Sequence, residues 1–545
     1  MEKLHWSVDS LVLRDHTYFG FGWAFHEDKT IVGIKLTVKT PEGHSQAISA
    51  TYGNPRDDVA SHFSGKQNSL HSGFVMYGSC KSDAESGDTL ALLVQFDDGT
   101  AVELPVSVSS LISLEKNSPT ANALPLLKQF WAFFKRGFAL VKQLKFKLLF
   151  EKVRRYMGNR PSGALNNVEQ ARSQYGMSGA QSSVLIIDHD LGGGANHYRE
   201  RLVDEKIREG KAVYIFSFHI ATLSYVLMVR KGGTSETLSI PGYEFLVDLC
   251  KSLQINEIVY NTGVSFANSE VIPQLIIQLK KELNPKLLLL VHDFFMVCPS
   301  HFLIDSTDKY CGIPDLDKCQ SCLVNNHNGF TSLFNARDMR QWRALWGTVL
   351  SLADEIRTFS NNTLDLLCKA YPSIDLSRTV VKPHVVEYID FGSIKPSQTS
   401  ELRVGVVGQI GFHKGAQIVQ RLSEEILRQN LPIKIVIIGS IETQCDASVV
   451  SQTGHYKHDD LAKLIESSGV NVMLFPSIWP ETFSYVVQEL MEMKLPVASF
   501  DLGAPAERLA SYQKGLILKD FDVPSVLDEL VLFHQRIYSV QEYSK

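Results

Sequence analysis

The stretch Met473–Leu509, MLFPSIWPETFSYVVQELMEMKLPVASFDLGAPAERL, reads as one βα unit with the next strand behind it. A continuous apolar run ends at Pro476, and a loop carries Pro480-Glu481-Thr482-Phe483. A helix bearing Glu489 follows, and Pro496–Phe500 is again apolar. Runs of this kind suit strands buried on both faces of a parallel sheet, and βα alternation builds doubly wound sheets. In such sheets ligands bind beyond the carboxyl ends of the strands, so the residues just after each run matter most. The loop places Glu481 and the amides of Thr482 and Phe483 at a helix N-terminus, whose partial positive charge suits a diphosphate. Glu489, two turns on, is placed to accept hydrogen bonds from sugar hydroxyls. Two solvated helix glutamates are the plain alternative, and the strand–loop–helix setting favours the site.

The same alternation surrounds this unit. After about Ser400 come LRVGVVGQ, KIVIIGS, VNVMLFPS and PVASFDLG; upstream, from Ser183, come VLIIDHD, AVYIFSF, EIVYNTG and LLLLVHD, separated by helix-like stretches. Two successive alternations predict an α/β fold with two doubly wound, Rossmann-like lobes facing a cleft, at 183–398 and 399–545. Residues 1–112 read as β: TIVGIKLTVKT, QAISATY and DTLALLVQF alternate apolar and polar, with turns at PEGH, SGD and FDDGT. That spacing predicts a small β-sandwich-like domain. It carries its own pattern, Tyr52-Gly53-Asn54-Pro55-Arg56-Asp57-Asp58-Val59 and then His71-Ser72-Gly73-Phe74, for which glycan binding, partner docking and structural support are all open.

Residues 113–182 connect the two regions. Leu127, Phe130, Phe134, Phe138, Val141, Leu144 and Leu148 recur at helical spacing, while Lys128, Lys135, Lys142, Lys145 and Lys152 fall largely on another face. Nine Lys and Arg between Lys128 and Arg155 face a single acid, Glu151. A basic amphipathic helix over 125–156 is thus expected to lie on an anionic membrane surface, with a helix docked on the core as the alternative. Residues 157–182 are polar and read as a linker.

A chain of 545 residues exceeds a single hydrophobic core. A net charge of -5 gives no global basic field, which argues against a dedicated nucleic-acid binder. MEKLHWSVDS lacks the apolar core of a secretion signal, and no run approaches the ~18 apolar residues of a membrane span. Eight cysteines, too few for a disulfide framework at this length, point to a reducing, cytoplasmic compartment.

Other motifs carry chemistry of their own. Gly192-Gly193-Gly194 end a strand and open a helix, where bare amides can meet a phosphate; a tight turn without ligand is the alternative. The dinucleotide fingerprint is incomplete: His197 stands at its third glycine, and the second strand ends in FSFHI with no acid for a ribose. Asp188-His189-Asp190 and Asp315-Leu316-Asp317 each match D-x-D, a pattern too short to predict a metal site. Cys319 and Cys322 have the spacing of a two-ligand zinc knuckle, which Cys298 and Cys311 would complete as a structural zinc; free thiols are the alternative. Cys80, Cys250, Cys368 and Cys445 read as packing residues.

Taken together, the C-terminal segment resembles the donor-site signature of the retaining family 4 glycosyltransferases, which have the two-Rossmann GT-B fold. Val407-Gly408-Gln409-Ile410-Gly411-Phe412-His413-Lys414-Gly415 resembles that family's strand–loop–Lys-Gly element, Leu290-Val291-His292-Asp293-Phe294 its strand-end His-Asp element, and the glycines at 192–194 its N-lobe loop. The resemblance covers roughly residues 183–530. It implies a hexosyltransferase of bacterial surface polysaccharide synthesis (O-antigen or capsule) with a nucleotide-sugar donor, a glycan or lipid-linked acceptor and metal-independent chemistry. His292 and Glu481 would be catalytic; Gly193, Gly194, Gln409, Lys414, Thr482, Phe483 and Glu489 would bind the donor. Many members have Arg where this chain has Gln409, so a charge-assisted phosphate contact is lost, with His413 as a partial substitute or Lys414 acting alone. Two other readings are a catalytically silent sugar-nucleotide scaffold on the same fold and an NAD-type oxidoreductase or epimerase. The first lacks any reason for intact His292, Lys414, Glu481 and Glu489, and the second lacks its fingerprint.

Overall fold

The computed structural model describes residues 3–539 except 15–16, 40–44, 55, 64, 67, 80–88, 108–110, 114–162, 177–181, 190–192, 220–222, 232–233, 267–269, 327–337, 387–393, 395–400 and 455. The basic segment 125–156 lies outside the described residues. The chain forms two compact units, Met1–Leu289 with Leu323–Asp354 and Leu290–Cys322 with Glu355–Lys545. Among the described residues no helix is long and apolar enough to cross a membrane.

The first unit opens with β1 (Leu4–Arg14), β2 (Thr17–His26), β3 (Ile31–Lys39), β4 (Ser45–Asn54), β5 (Gly73–Ser79), β6 (Thr89–Phe96), β7 (Ala101–Val106) and β8 (Leu111–Ser113). They form one barrel-like sheet in the order β7-β6-β3-β4-β5-β2-β1-β8, where the sequence suggests a two-layered sandwich. The difference has a physical basis. Register breaks at Val8/Ser10, Ile31/Gly33 and Tyr52/Asn54 bend the strands, and a bulged sheet curls on itself. Leu11, Tyr18, Leu36, Phe74 and Leu92 then meet in one core instead of lining two facing sheets. Tyr52 and Arg56 of the first pattern tie strands of this sheet together. Tyr52 donates to Ala24 O at 2.9 Å, and Arg56 Nη1 donates to Asp9 Oδ2 at 2.8 Å and Gly22 O at 3.2 Å. Tyr77 ties the sheet to the rest of its unit: its hydroxyl donates to Ser265 O at 3.0 Å, and its ring stacks 6.2 Å from Phe218.

The α/β part of this unit contains β9 (Gly163–Ala164), β10 (Ser183–Ile187), β11 (Ala212–His219), β12 (Ser224–Lys231), β13 (Thr234–Ile240), β14 (Glu257–Tyr260) and β15 (Lys286–Leu290), ordered β15-β14-β10-β11-β12-β13-β9. β10, β11, β14 and β15 run parallel, as their apolar runs predict. β12 and β13 pair antiparallel as an extension beyond β11. The stretch read as a linker carries two elements: β9 pairs with β13, and helix Val168–Tyr175, capped by Asn167, accepts a hydrogen bond at Tyr175 O from Tyr214. Helix Met339–Leu352 closes the parallel strands, with Trp346 edge-on to Tyr260 at 4.9 Å.

The second unit holds β16 (Glu355–Thr358) paired with β17 (Thr379–Val381), and a parallel sheet of β18 (Arg403–Ile410), β19 (Lys434–Ile441), β20 (Val450–Gln452), β21 (Val472–Phe475), β22 (Val497–Phe500) and β23 (Gly515–Leu518). Its order, β20-β19-β18-β21-β22-β23, reverses direction between β18 and β21. That is the topological switch point, where the loops leaving adjacent strands part and open a crevice.

Candidate active site

Both motifs read from the C-terminal sequence leave the strands at this switch point. After β18 the chain turns through Phe412–Lys414 into helix Ala416–Arg428. Gly415 has φ 85°, and a Cβ there would lie 2.0 Å from Pro476 O, so the two loops approach as closely as backbone allows. Lys414 is half-buried, and among the described residues its ammonium group has no hydrogen bond or ion pair; its charge acts on Glu481.

After β21, Ile478 N and Ser477 Oγ both donate to His413 O, at 3.1 and 3.4 Å, which binds this loop to the first. Burial pushes the Glu481 carboxyl above its ordinary range, against the opposing pull of Lys414 and of donors on Ser484, Ser477 and Trp479. Gly503, at φ 62°, lets the next helix abut the loop: a Cβ would sit 2.6 Å from Pro480 C, and Ala504 N donates to Glu481 O at 2.8 Å. Glu481 is thus held in a rigid frame beside an uncommitted cation.

The helix carrying Glu489 begins at Tyr485, later than the sequence suggests. Ser484 is its N-cap, at a left-handed φ of 134°, and Ser484 Oγ accepts from Val487 N at 3.3 Å. Thr482 and Phe483 therefore belong to the turn before this helix and not to its first turn. Thr482 Oγ1 donates to His292 O at 2.8 Å, and buried Phe483 lies 4.3 Å beneath the Arg508 guanidinium.

That bond brings His292 to the same site. Its ring stacks on Phe359 at 4.5 Å, Phe359 stacks on His384 at 4.0 Å, and Phe483 meets His384 edge-on at 4.6 Å. Tyr485 Oη lies 3.2 Å from His384 Nδ1. Sequence reasoning missed His384, although it follows a short apolar strand just as His292 does. Asp293, beside His292, accepts from Phe295 N at 2.8 Å and shapes the turn.

Glu489 is buried, and its Oε1 lies 3.2 Å from His458 Nε2. Gln409 is exposed at the end of β18. His413 does not make up for the arginine absent there. Its ring stacks on Phe302 at 4.2 Å, and burial, with the Lys414 charge adding, pushes its pKa down to about 3, so it stays neutral. Lys414 is left as the cation of this loop.

Gly193 and Gly194 lie in the first unit. Gly193, at φ 87°, caps helix Gly194–Arg208, and Gly192 falls outside the described residues. Of the two D-x-D matches, Asp188 is buried with Oδ2 accepting from Asn196 at 2.8 Å and Arg199 at 2.9 Å, while Asp190 is outside the described residues. Asp315 accepts from Lys318 N at 2.9 Å and caps helix Leu316–Asn325. Among the described residues Cys298, Cys311, Cys319 and Cys322 form no disulfide, and all four are partly buried. Burial raises the Cys311 thiol to about 11, with Cys319 and Cys322 near enough to add to the shift. Among the described residues no three His, Cys, Asp or Glu side chains converge as ligands of one ion.

Residues 393–532 match the family model described as glycosyl transferases group 1. Among curated proteins no sequence match was found. Solved structures similar to this chain include a sucrose-phosphate synthase from Thermosynechococcus elongatus, at 14% identity and TM-score 0.43, covering 66% of this chain and 94% of that one. A glycosyltransferase from Rickettsia africae has 12% identity and TM-score 0.40, over 66% and 92% of the two chains. Anabaena HepE, solved with UDP-glucose, has 14% identity and TM-score 0.37, over 66% and 94%. With a group 1 domain spanning β18 to β23 and both of its loop motifs meeting at the switch point, the chain is a glycosyltransferase.

Proposed function

We propose that this protein is a retaining GT-B enzyme that transfers a hexose-type sugar from a nucleotide-sugar to a glycan or lipid-linked glycan acceptor in surface polysaccharide synthesis. The observation that carries the proposal is that Lys414 and Glu481 stand on the loops leaving adjacent parallel strands β18 and β21, loops that are bonded to each other through His413 O at the switch point. A departing diphosphate needs positive charge, and Lys414 offers it from a fixed loop, aided by the N-terminal end of helix Tyr485–Glu492. Glu481 and Glu489 would orient sugar and ribose hydroxyls, and His292, held by Thr482 and Phe359, would contact the transferring sugar. Gln409, Thr482 and Phe483 would line the donor site. Charge stabilisation and positioning then supply most of the rate. Residues 125–156 would hold the enzyme on the cytoplasmic face of a membrane.

The test is a thermal-shift screen with UDP-, GDP- and dTDP-sugars and NAD. A sugar nucleotide at 100 times its Kd should stabilise the folded state by about 2.7 kcal/mol. Stabilisation by NAD alone would sink the proposal, and sugar-nucleotide binding without turnover on any lipid-linked acceptor would leave a silent scaffold.

A structural zinc on Cys298, Cys311, Cys319 and Cys322 is also part of the proposal. It is supported by the Cys319-x2-Cys322 spacing on helix Leu316–Asn325 and by the proximity of both thiols to Cys311. Elemental analysis of the purified protein should find about one equivalent of zinc, lost when Cys319 and Cys322 are both changed to Ser. A metal-free wild type would leave four structural thiols.

A further inference from the structure

The parallel sheet of the second unit has an open cavity of about 570 Å³ over β18, β19 and β20. Arg403 opens β18, Lys434 opens β19, and the two are register partners on these adjacent strands. Val436 follows Lys434 by two positions and pairs with Ser451 of β20, so all four residues share one face of the sheet. Ser448 and the last turn of helix Leu461–Ser468 complete the wall. The Arg403 guanidinium runs past the end of that helix: a Cβ on Gly469 would stand 3.5 Å from its Nη1.

Two cations side by side on a sheet face repel each other, and the protein does little to offset them. Among the described residues no Asp or Glu lines the cavity. Lys434 Nζ donates to a neutral acceptor, Ser448 O, at 2.6 Å, and among the described residues it meets no carboxylate. Arg403 Nη2 lies 3.8 Å from Glu401 Oε2, but both side chains are exposed, and such a pair contributes little. Arg403 Nε is buried and has no hydrogen-bond partner among the described residues. A buried donor without an acceptor is costly, and Ser451, exposed on the same face, also makes no side-chain hydrogen bond among the described residues.

We propose that this cavity is an anion site in which Arg403 and Lys434 together hold one phosphate group, that of inorganic phosphate or of a sugar monophosphate. The guanidinium offers Nε and an Nη as a fork matched to two phosphate oxygens, and the ammonium has donors beyond the one given to Ser448 O. Ser451 stands where a hydroxyl beside the phosphate would meet it. The site is separate from the candidate donor loops. Those leave the carboxyl ends of the strands, and β18 alone sets Arg403 roughly 23 Å from Ile410.

The experiment is calorimetry on the whole chain at low ionic strength, with inorganic phosphate and with glucose 1-phosphate, in wild type and in Lys414→Ala. Binding should be the same in both proteins. Arg403→Gln and Lys434→Gln should each weaken it about tenfold, the loss of one charge-assisted bond, and Lys434→Arg should restore most of it. Tighter binding of glucose 1-phosphate, weakened several-fold by Ser451→Ala, would identify a sugar monophosphate as the ligand. Equal binding of both probes, indifferent to Ser451→Ala, would identify phosphate alone. Binding of neither probe, binding unchanged in folded Arg403→Gln and Lys434→Gln, or binding lost in Lys414→Ala would overturn the proposal. The first two outcomes leave the donor-site reading untouched, and the last would move the anion to the donor loops.

Discussion

Replacing Lys414 by Ala should lower kcat/KM for the sugar nucleotide by about 100- to 1,000-fold, the usual cost of removing one preorganised group that meets developing charge. Stability should hardly change, because among the described residues the ammonium group makes no hydrogen bond or ion pair. A second signature separates this from a general disturbance. Lys414 is the largest influence pulling the Glu481 carboxyl down against burial, so its loss lets Glu481 keep its proton to higher pH. If ionised Glu481 orients the sugar, the acid limb of the residual rate should move upward, whereas Lys414→Arg should restore its position. Activity near wild type, or a large loss with an unmoved acid limb, would mean that Lys414 does not face the donor beside Glu481.

The second large effect is on folding. Asp188→Ala should destabilise the first unit by about 3–5 kcal/mol, as when one member of a buried ion pair is deleted. Asp188 is 0% exposed, and the substitution would remove the carboxylate on which the Arg199 guanidinium and the Asn196 amide converge at 2.9 and 2.8 Å, leaving them their bonds to His189 O and Glu200. Asp188→Asn should recover part of the loss by keeping the shape and the bond from His189 N. Urea unfolding measures it, and a loss below about 1 kcal/mol would mean that Glu200, the second partner of Arg199, carries the pairing instead.

Parallel strands were the most legible part of the fold, because burial on both faces leaves uninterrupted apolar runs such as Val404–Val407 and Ile435–Ile438. β12 and β13 were not legible: SYVLMVRK has no two-residue alternation to separate it from a buried helix, and only pairing with β11 decides it. The N-terminal strands were read from alternation, but their gathering into one curled sheet goes with register breaks that leave little mark in sequence. At the candidate site, Lys414, Glu481 and Glu489 stood out because each follows a strand or sits on the helix after one. His384 and His458 did not. They reach the site through stacking on Phe359 and pairing with Glu489, long-range contacts that no local spacing encodes. The sequence leaves His413 and Lys414 as alternatives, because the charge of a histidine is set by burial, which here depends on Phe302 more than a hundred positions away.

The two units are not consecutive pieces of chain, and this orders their birth on the ribosome. When Leu289 emerges, the first unit still lacks Leu323–Asp354, including the two tryptophans of its closing helix and Asp354, whose carboxylate accepts from Leu287 N at 2.7 Å. Leu290–Cys322 emerges in between, yet its partners, Phe359, His384 and Thr482, are made later. A nascent chain therefore holds the future site half-finished with apolar surface uncovered, and is in greatest need of chaperone cover until the strands from Arg403 onward are translated.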